Sequence, residues 1–364
     1  MTDTQNTPTI DESRVETFVG QLMTDFAGAG TTAMTVIGDR LGLYRAMTGA
    51  GPLTAEKLAA ATGLHPRLVA EWLRQQAVSG YLTADGDTFE LPMEHALALS
   101  VVDSPVYVIG AADVITGTYL TFDKLEAAFR GDGGIELAEM PGCTFHGIER
   151  FFRTAYVNQL VQTWFPAVPG LLDKLAAGAK VADVGCGHGF ATRLIAQTWP
   201  SATVLGYDFH QPSIATARAQ SVEAGGPANV SFHVADSGDL ASRPEGPFDV
   251  VLYFDSLHDL GNPPAALRAA YDSLADGGIL VAVEPWSADR FTDMIGNPMA
   301  RTNYAASVAL CTPGSLSQPG AYGLGTQGGP AQRVELIAGA GFADARVAAD
   351  TGFNLVLTGT KAAR

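Results

Sequence analysis

Ten residues constrain this chain more than any others: Val181-Ala-Asp-Val-Gly-Cys-Gly-His-Gly-Phe190, in which Asp183 is followed by glycines at 185, 187 and 189. Val181 to Val184 reads as a short buried strand, and Ala191 to Trp199 as the helix after it. The glycines fill the turn between them, where a backbone without Cβ atoms can bend sharply and let a ligand lie against it. The helix N-terminus beyond offers unpaired N–H groups and positive potential to a polar or anionic group. This is a nucleotide-type cofactor turn. Dinucleotide enzymes favour G-x-G-x-x-G after the first strand. Here the spacing is G-x-G-x-G, with an acid in the strand two residues before the first glycine.

From Leu171 the pattern alternates helix and strand, which implies a largely parallel sheet covered on both faces. Further strands are expected at 202–207, 230–234, 248–253 and 278–283. Each is followed by polar residues: Asp208, Asp236-Ser237, His258 and Glu284. Ligands of such sheets bind outside the C-terminal ends of the strands, so five placements in register outweigh a reading of each acid as a helix cap. Asp208 lies 21 residues past Gly187, where a carboxylate can take both ribose hydroxyls in charge-assisted bonds. The tail reads as a helix over 333–340, then two β-like runs at 345–349 and 353–360. A nicotinamide dehydrogenase would not normally end in such a hairpin.

The N-terminal part is mainly helical. Residues 1 to about 12 are polar and expected to be loosely attached. From Val15 apolar residues recur at helical spacing, and Gly28, Ala29, Gly30 and Ala33 make a face small enough for another helix, from this chain or from a second copy. Residues 37–47 read as a helix. A second helix is capped by Thr54 and stopped by Gly63, and a third opens at His65-Pro66. Two short strands flanking Asp85-Gly86-Asp87 then form a hairpin. This is a winged-helix pattern. Residues 31–100 hold five Lys/Arg against seven Asp/Glu, which disfavours a DNA-binding role. Residues 96–170 read as a helical connector with helices expected from Asp103-Ser104-Pro105, over 122–130 and from Phe145. The division expected is 1–100, 101–170 and 171–364.

A formal net charge of −16 argues against nucleic acid, since phosphate contacts depend on Lys and Arg. Three scattered cysteines (Cys143, Cys186, Cys311) make a disulfide framework or structural zinc improbable. The polar, acidic N-terminus lacks signal-peptide character, and no apolar run approaches a membrane span. A cytoplasmic protein with no membrane partner is expected.

The order of these motifs resembles the class I S-adenosylmethionine (SAM)-dependent methyltransferases. More narrowly, FHGIERFF, VADVGCGHG, DSLHDLGNP, CTPGSLSQ and FNLVL are similar to a bacterial, including mycobacterial, group of winged-helix small-molecule methyltransferases related to plant-type O-methyltransferases. The likeness runs from about Val15 to the end. It implies an α/β fold with a Rossmann-like methyltransferase sheet ending in an antiparallel hairpin, and a winged-helix domain that makes a homodimer. It implies SAM as cofactor, S-adenosylhomocysteine (SAH) as product and a small-molecule acceptor. Cofactor residues would be Asp183, Gly185, Cys186, Gly187 and Gly189 at the turn, Asp208 and Phe209, Asp236 and Ser237 at the adenine, and Phe254.

Methyl transfer is an in-line displacement, so the protein must chiefly align the acceptor and exclude water. An acceptor hydroxyl or enolisable carbon also loses a proton. His258 stands where the O-methyltransferase relatives carry their catalytic base, a task suited to histidine near neutral pH, with Asp259 or Glu284 to orient it. The connector would roof the pocket with Tyr119, Phe122, Phe145, His146, Glu149 and Tyr156. Asn303, Tyr304, Ser307 and Gln318 would wall the acceptor side. Three alternatives stay open: a metal-assisted C-methyltransferase of a 2-oxo acid with His146 and His258 as ligands, a SAM-binding regulator, and a nicotinamide oxidoreductase.

Overall fold

The computed structural model describes residues 10–363; the expectation for residues 1–9 lies outside them. The chain divides into two compact units at Ala112/Asp113.

The first unit opens with α1 (Glu12–Arg40), capped by the Asp11 carboxylate, which accepts from the N–H groups of Ser13 and Arg14. The helix expected over 37–47 is broken, because Gly42 takes φ 72° and starts a separate α2 (Leu43–Met47). Next come β1 (Leu53–Thr54), α3 (Ala55–Thr62) between its Thr54 and Gly63 caps, and α4 (Pro66–Val78) behind His65. The hairpin β2 (Thr83–Asp85) and β3 (Thr88–Glu90) turns at Gly86, and β1 adds a third strand too short to signal in sequence. α5 (Met93–Leu99) follows. Leu43, Tyr44, Leu58, Trp72 and Leu73 form the core of this unit. The first half of α1 contributes nothing to it: Val15, Phe18, Val19, Met23 and Phe26 are all exposed.

No helix starts at Pro105. α6 (Gly110–Leu120) begins five residues later and runs across the division. α7 (Phe122–Phe129) and α8 (Gly142–Ala155) follow, the latter continuing as a π-helix over Tyr156–Trp164. α9 (Leu171–Ala176) leads into alternating elements: β4 (Lys180–Val184), α10 (Phe190–Thr198), β5 (Thr203–Asp208), α11 (Gln211–Glu223), β6 (Val230–Val234), β7 (Phe248–Phe254), α12 (Pro263–Ser273) and β8 (Leu274–Pro285). α13 (Pro298–Ala306) runs through a π-helical stretch into α14 (Thr312–Leu316). α15 (Gly329–Gly339) precedes the closing hairpin β9 (Ala343–Asp350) and β10 (Asn354–Thr360).

The seven strands lie in the order β6-β5-β4-β7-β8-β10-β9. The first five are parallel, and β10 enters antiparallel between β8 and β9. Residues alternate between two cores. Val250, Leu252 and Phe254 face Leu160, Trp164 and Ile195, whereas Val251 and Tyr253 face Leu267 and Ile337. That alternation is what a sheet buried on both faces requires. The strand order reverses between β4 and β7, and the C-terminal ends of both strands open there onto one cavity. Among the described residues no helix is long and apolar enough to cross a membrane.

Candidate functional site

The glycine turn forms one wall of the cavity. Gly185 takes φ +74°, and a Cβ on it would stand 2.5 Å from Ser256 Cβ. Gly189 takes φ +73° as the cap of α10, where a Cβ would meet the Phe232 ring at 2.3 Å. Both positions therefore require glycine, by backbone conformation and by space. The turn is pinned to β5, since the N–H groups of Gly185 and Cys186 both donate to Tyr207 O at 2.8 and 3.0 Å. Beside them Asp208 accepts from Gly187 N at 2.9 Å and His210 N at 2.8 Å. Its carboxyl is raised by burial, against the pull of those two amides.

Asp183 is 1% exposed. Its Oδ2 accepts from Thr192 Oγ1 at 2.6 Å, while Oδ1 has no partner among the described residues. Burial pushes the carboxyl up to about 7, with the Asp208 charge adding and Thr192 opposing. A buried carboxylate oxygen without a donor, beside a turn closed to side chains at Gly185 and Gly189, is the mark of a ligand site. The cavity is also bounded by Phe209, by Asp236, which caps its own turn through Gly238 N at 2.8 Å, and by Ser237.

The roof is α8 and its π-helical continuation. Phe145, Ile148, Glu149, Phe152 and Tyr156 recur at helical spacing and line the cavity. Phe145 stacks on His210 with ring centres 4.9 Å apart. Glu149 bonds His188 Nδ1 at 2.7 Å and accepts from Gln220 Nε2 at 3.3 Å. Tyr156 is edge-on to Phe254 at 5.6 Å, and burial, followed by the charge of Asp255, raises its phenol well above the usual range.

The opposite wall carries acids. Asp255 follows β7 at φ 47°, a conformation uncommon outside glycine, and among the described residues neither of its carboxylate oxygens has a hydrogen-bond partner. His258 lies one layer behind, 3% exposed. Its Nδ1 meets Glu284 Oε2 at 2.7 Å, and its Nε2 stands 3.2 Å from Asp259 Oδ1. Burial alone would lower the His258 pKa, but Asp259 and then Glu284 outweigh it and hold it well above the usual value. Glu284 also accepts from Leu257 N at 3.1 Å and lies 3.7 Å from Arg333 Nε. The Gln318 amide clips this wall by donating to Asp259 O at 2.8 Å and accepting from Gly261 N at 3.0 Å.

The cavity thus gathers Asp183, Gly185, Cys186, Gly187, Asp208, Phe209, Asp236, Ser237 and Phe254 from the cofactor set, Asp259 from the catalytic set, and Phe145, Glu149, Tyr156 and Gln318 from the acceptor set. Gly189, His258 and Glu284 stand behind its surface. Six acceptor candidates lie outside the lining, Phe122 among them. Tyr119 is half-exposed against Phe122. His146 is exposed, because one residue past Phe145 is a turn of about 100° around the helix. Asn303 and Tyr304 precede the stretch of the same run that reaches the wall at Leu310 and Gly314. Ser307 is committed to the Thr326 amide at 3.2 Å. His146 accordingly takes no place in the cluster around His258. Sequence reading also passed over Ile148 and Phe152, which the spacing from Phe145 signals, and Asp255, Cys311 and Arg333, which no local pattern signals.

Residues 175–319 match the family described as "Methyltransferase domain", and residues 29–101 the family described as "Rv2258c-like winged HTH domain". The chain is 34% identical to the trans-aconitate 2-methyltransferase of Streptomyces avermitilis over 111 residues, 30% of this chain and 40% of the relative. It is 33% identical to the ubiquinone biosynthesis O-methyltransferase of Pseudomonas fluorescens over 122 residues, 34% of this chain and 49% of the relative. It thus spans under half the length of these curated relatives. Among solved structures, human N-acetylserotonin methyltransferase in complex with SAM aligns over 100% of both chains with a TM-score of 0.69 and 17% identity. PigF with SAH aligns over 95% of this chain and 99% of its own, with a TM-score of 0.68 and 18% identity. At such identities the likeness is one of fold. The chain carries a methyltransferase domain and, before it, a winged helix-turn-helix domain.

Proposed function

We propose that this chain, a methyltransferase domain preceded by a winged helix-turn-helix domain, is a SAM-dependent methyltransferase that methylates an oxygen of a small-molecule acceptor and works as a homodimer. One observation carries the reading: a single cavity joins the glycine turn and its unpartnered Asp183 oxygen to an acidic wall backed by a histidine. The first half fits the cofactor, and the second half fits the removal of a proton.

When bound, SAM supplies a methyl group on a positively charged sulfur. The chain's own residues do the rest. Asp208 faces the position of the ribose hydroxyls, Asp236 and Ser237 bound the adenine end, and Asp183 offers its free oxygen near the methionine end. The apolar roof of Ile148, Phe152 and Tyr156 excludes water and presses the acceptor toward the turn. The acceptor's proton leaves toward the Asp259 carboxylate at the cavity wall, which His258, held by Glu284, backs from behind. O-methylation is preferred to C- or N-methylation because acids, rather than a positively charged clamp, line the acceptor wall.

We assign the winged-helix unit to self-association. On α4 both Arg67 and Arg74 pair with Glu71, and the wing tip carries exposed Asp85 and Asp87, an arrangement that repels phosphate. Gly28 and Gly30 meet no neighbour within their own unit, which leaves the small face of α1 for a second copy. Three unpaired cysteines suit the reducing cytoplasm.

Calorimetric titration with SAM and SAH tests the reading. Both should bind one per chain, and Asp208→Asn should lose about 1.5–3 kcal/mol, the scale of a hydrogen bond to a charged group. Equal affinity in wild type and variant would remove Asp208 from the site, and failure of wild type to bind either nucleoside would end the methyltransferase reading.

A further inference from the structure

Behind the acidic wall, three side chains of different chemistry converge. His258, Asp259 and Cys311 each present one donor atom, all within 4.8 Å of one another. We propose that His258 Nε2, Asp259 Oδ1 and Cys311 Sγ form a divalent-cation site, zinc by its donor set, opening onto the acceptor half of the cavity.

Four features support it. The first is the state of the histidine. Glu284 Oε2 accepts from Nδ1–H at 2.7 Å, so the proton that an incoming cation displaces leaves from Nε2, whose lone pair then points at Asp259 and Cys311. A carboxylate fixing the far nitrogen of a ligating imidazole is the usual support of a metal-bound histidine. Glu284 is itself held by Leu257 N and lies beside Arg333, both fully buried.

The second is distance. His258 Nε2 and Asp259 Oδ1 lie 3.2 Å apart, yet among the described residues no N–H or O–H reaches that buried oxygen with hydrogen-bond geometry, and its other neighbour is the Cys311 thiol. Two ligands about 2.0–2.1 Å from a tetrahedral ion sit about 3.3 Å from each other. The pair is spaced as ligands are.

The third is the donor set. One imidazole nitrogen, one carboxylate oxygen and one thiol suit a borderline ion such as zinc better than magnesium or calcium, which take oxygen. The fourth is access. The Asp259 side chain keeps 44% of its surface while its Oδ1 is buried, and Leu260, Leu310 and Gly314 around the cluster line the cavity. Three protein ligands leave a fourth position, and here it faces the cavity, as catalytic rather than structural zinc requires.

The role of such an ion rests on the proposed methyl-transfer reading, though its binding does not. It would hold an acceptor hydroxyl oxygen and lower the pKa of that hydroxyl, whose proton would pass to the second, unligated oxygen of Asp259. The substrate class becomes an oxygen-donor acceptor able to bind a metal.

The test uses the full chain stripped with a chelator and dialysed against zinc, with cobalt(II) as a coloured stand-in. The expected result is one zinc per chain, bound at least tenfold more weakly by Cys311→Ser, and a thiolate-to-cobalt charge-transfer band in wild type that the variant lacks. SAH binding, measured on the same samples, should be unchanged in Cys311→Ser and shows that the variant is folded. Should the variant misfold, the wild-type cobalt spectrum decides. Sub-stoichiometric zinc, uptake indifferent to Cys311→Ser in a folded variant, or cobalt bound without the thiolate band would each overturn the site. Wild type that binds SAH but takes up no zinc removes only the metal proposal, whereas wild type that takes up zinc but not SAH removes the methyltransferase reading.

Discussion

Asp183 shows how much of the site is decided at a single residue. Its carboxyl is buried and half-satisfied, and burial raises it to about 7. An unfolded aspartate releases its proton near pH 4. Between those values the folded chain binds the extra proton, so stability falls as pH rises from about 4 to 7 and then levels. Asp183→Asn, which can still accept from Thr192, removes that slope. Without nucleoside, the variant should gain on wild type by roughly 2–3 kcal/mol between pH 5 and 8, at about 1.4 kcal/mol per unit of pKa. Urea denaturation at the two pH values reads this, and parallel stability curves would show that the carboxyl titrates as an ordinary one. The identity of Asp183 as a site acid was legible in sequence because it sits two residues before a glycine turn. Its missing partner was not, since that depends on which donors the folded chain brings near.

At the scale of elements, the β4–turn–α10 unit was the most legible part of the chain. Strand, glycines and helix are local, and the expected helix at 191–199 differs from the observed Phe190–Thr198 by one residue at each end. What sequence could not express is why position 185 tolerates no side chain. Gly185 approaches Ser256, 71 positions away, which itself donates to Val184 O at 2.9 Å. Gly185→Ala should therefore cost roughly 2–5 kcal/mol, combining left-handed backbone strain with overpacking. Gly187→Ala, at φ +53° with nothing within 4 Å, should cost only the backbone part, about 1–2 kcal/mol. Thermal melts of the two variants compare them, and equal losses would mean that contact with Ser256 plays no part. The errors elsewhere have local causes of the same kind. Gly42 split a helix that apolar spacing ran together, and Pro105 proved to precede a turn rather than begin α6.

For the whole molecule, the first half of α1 is the feature that a single chain leaves unexplained. Phe18, Met23 and Phe26 are 57%, 61% and 64% exposed, a continuous apolar face of the kind that marks an interface. If a second copy covers it, Phe18→Glu together with Phe26→Glu should convert a dimer into a monomer in sedimentation velocity, with the methyltransferase domain still binding SAH. A monomeric wild type, or a variant that stays dimeric, would exclude α1 as the interface. The sequence alone determined the α/β order, the cofactor turn, the acids at the strand ends and the closing hairpin, because each follows from residues close together in the chain. Only the tertiary structure decided that His258 stands behind the wall rather than in it, that Asp255 faces the cavity with no partner among the described residues, and that Cys311 joins His258 and Asp259. Those three facts come from packing strands and helices that lie tens of residues apart, and no spacing within the chain encodes a distance across a fold.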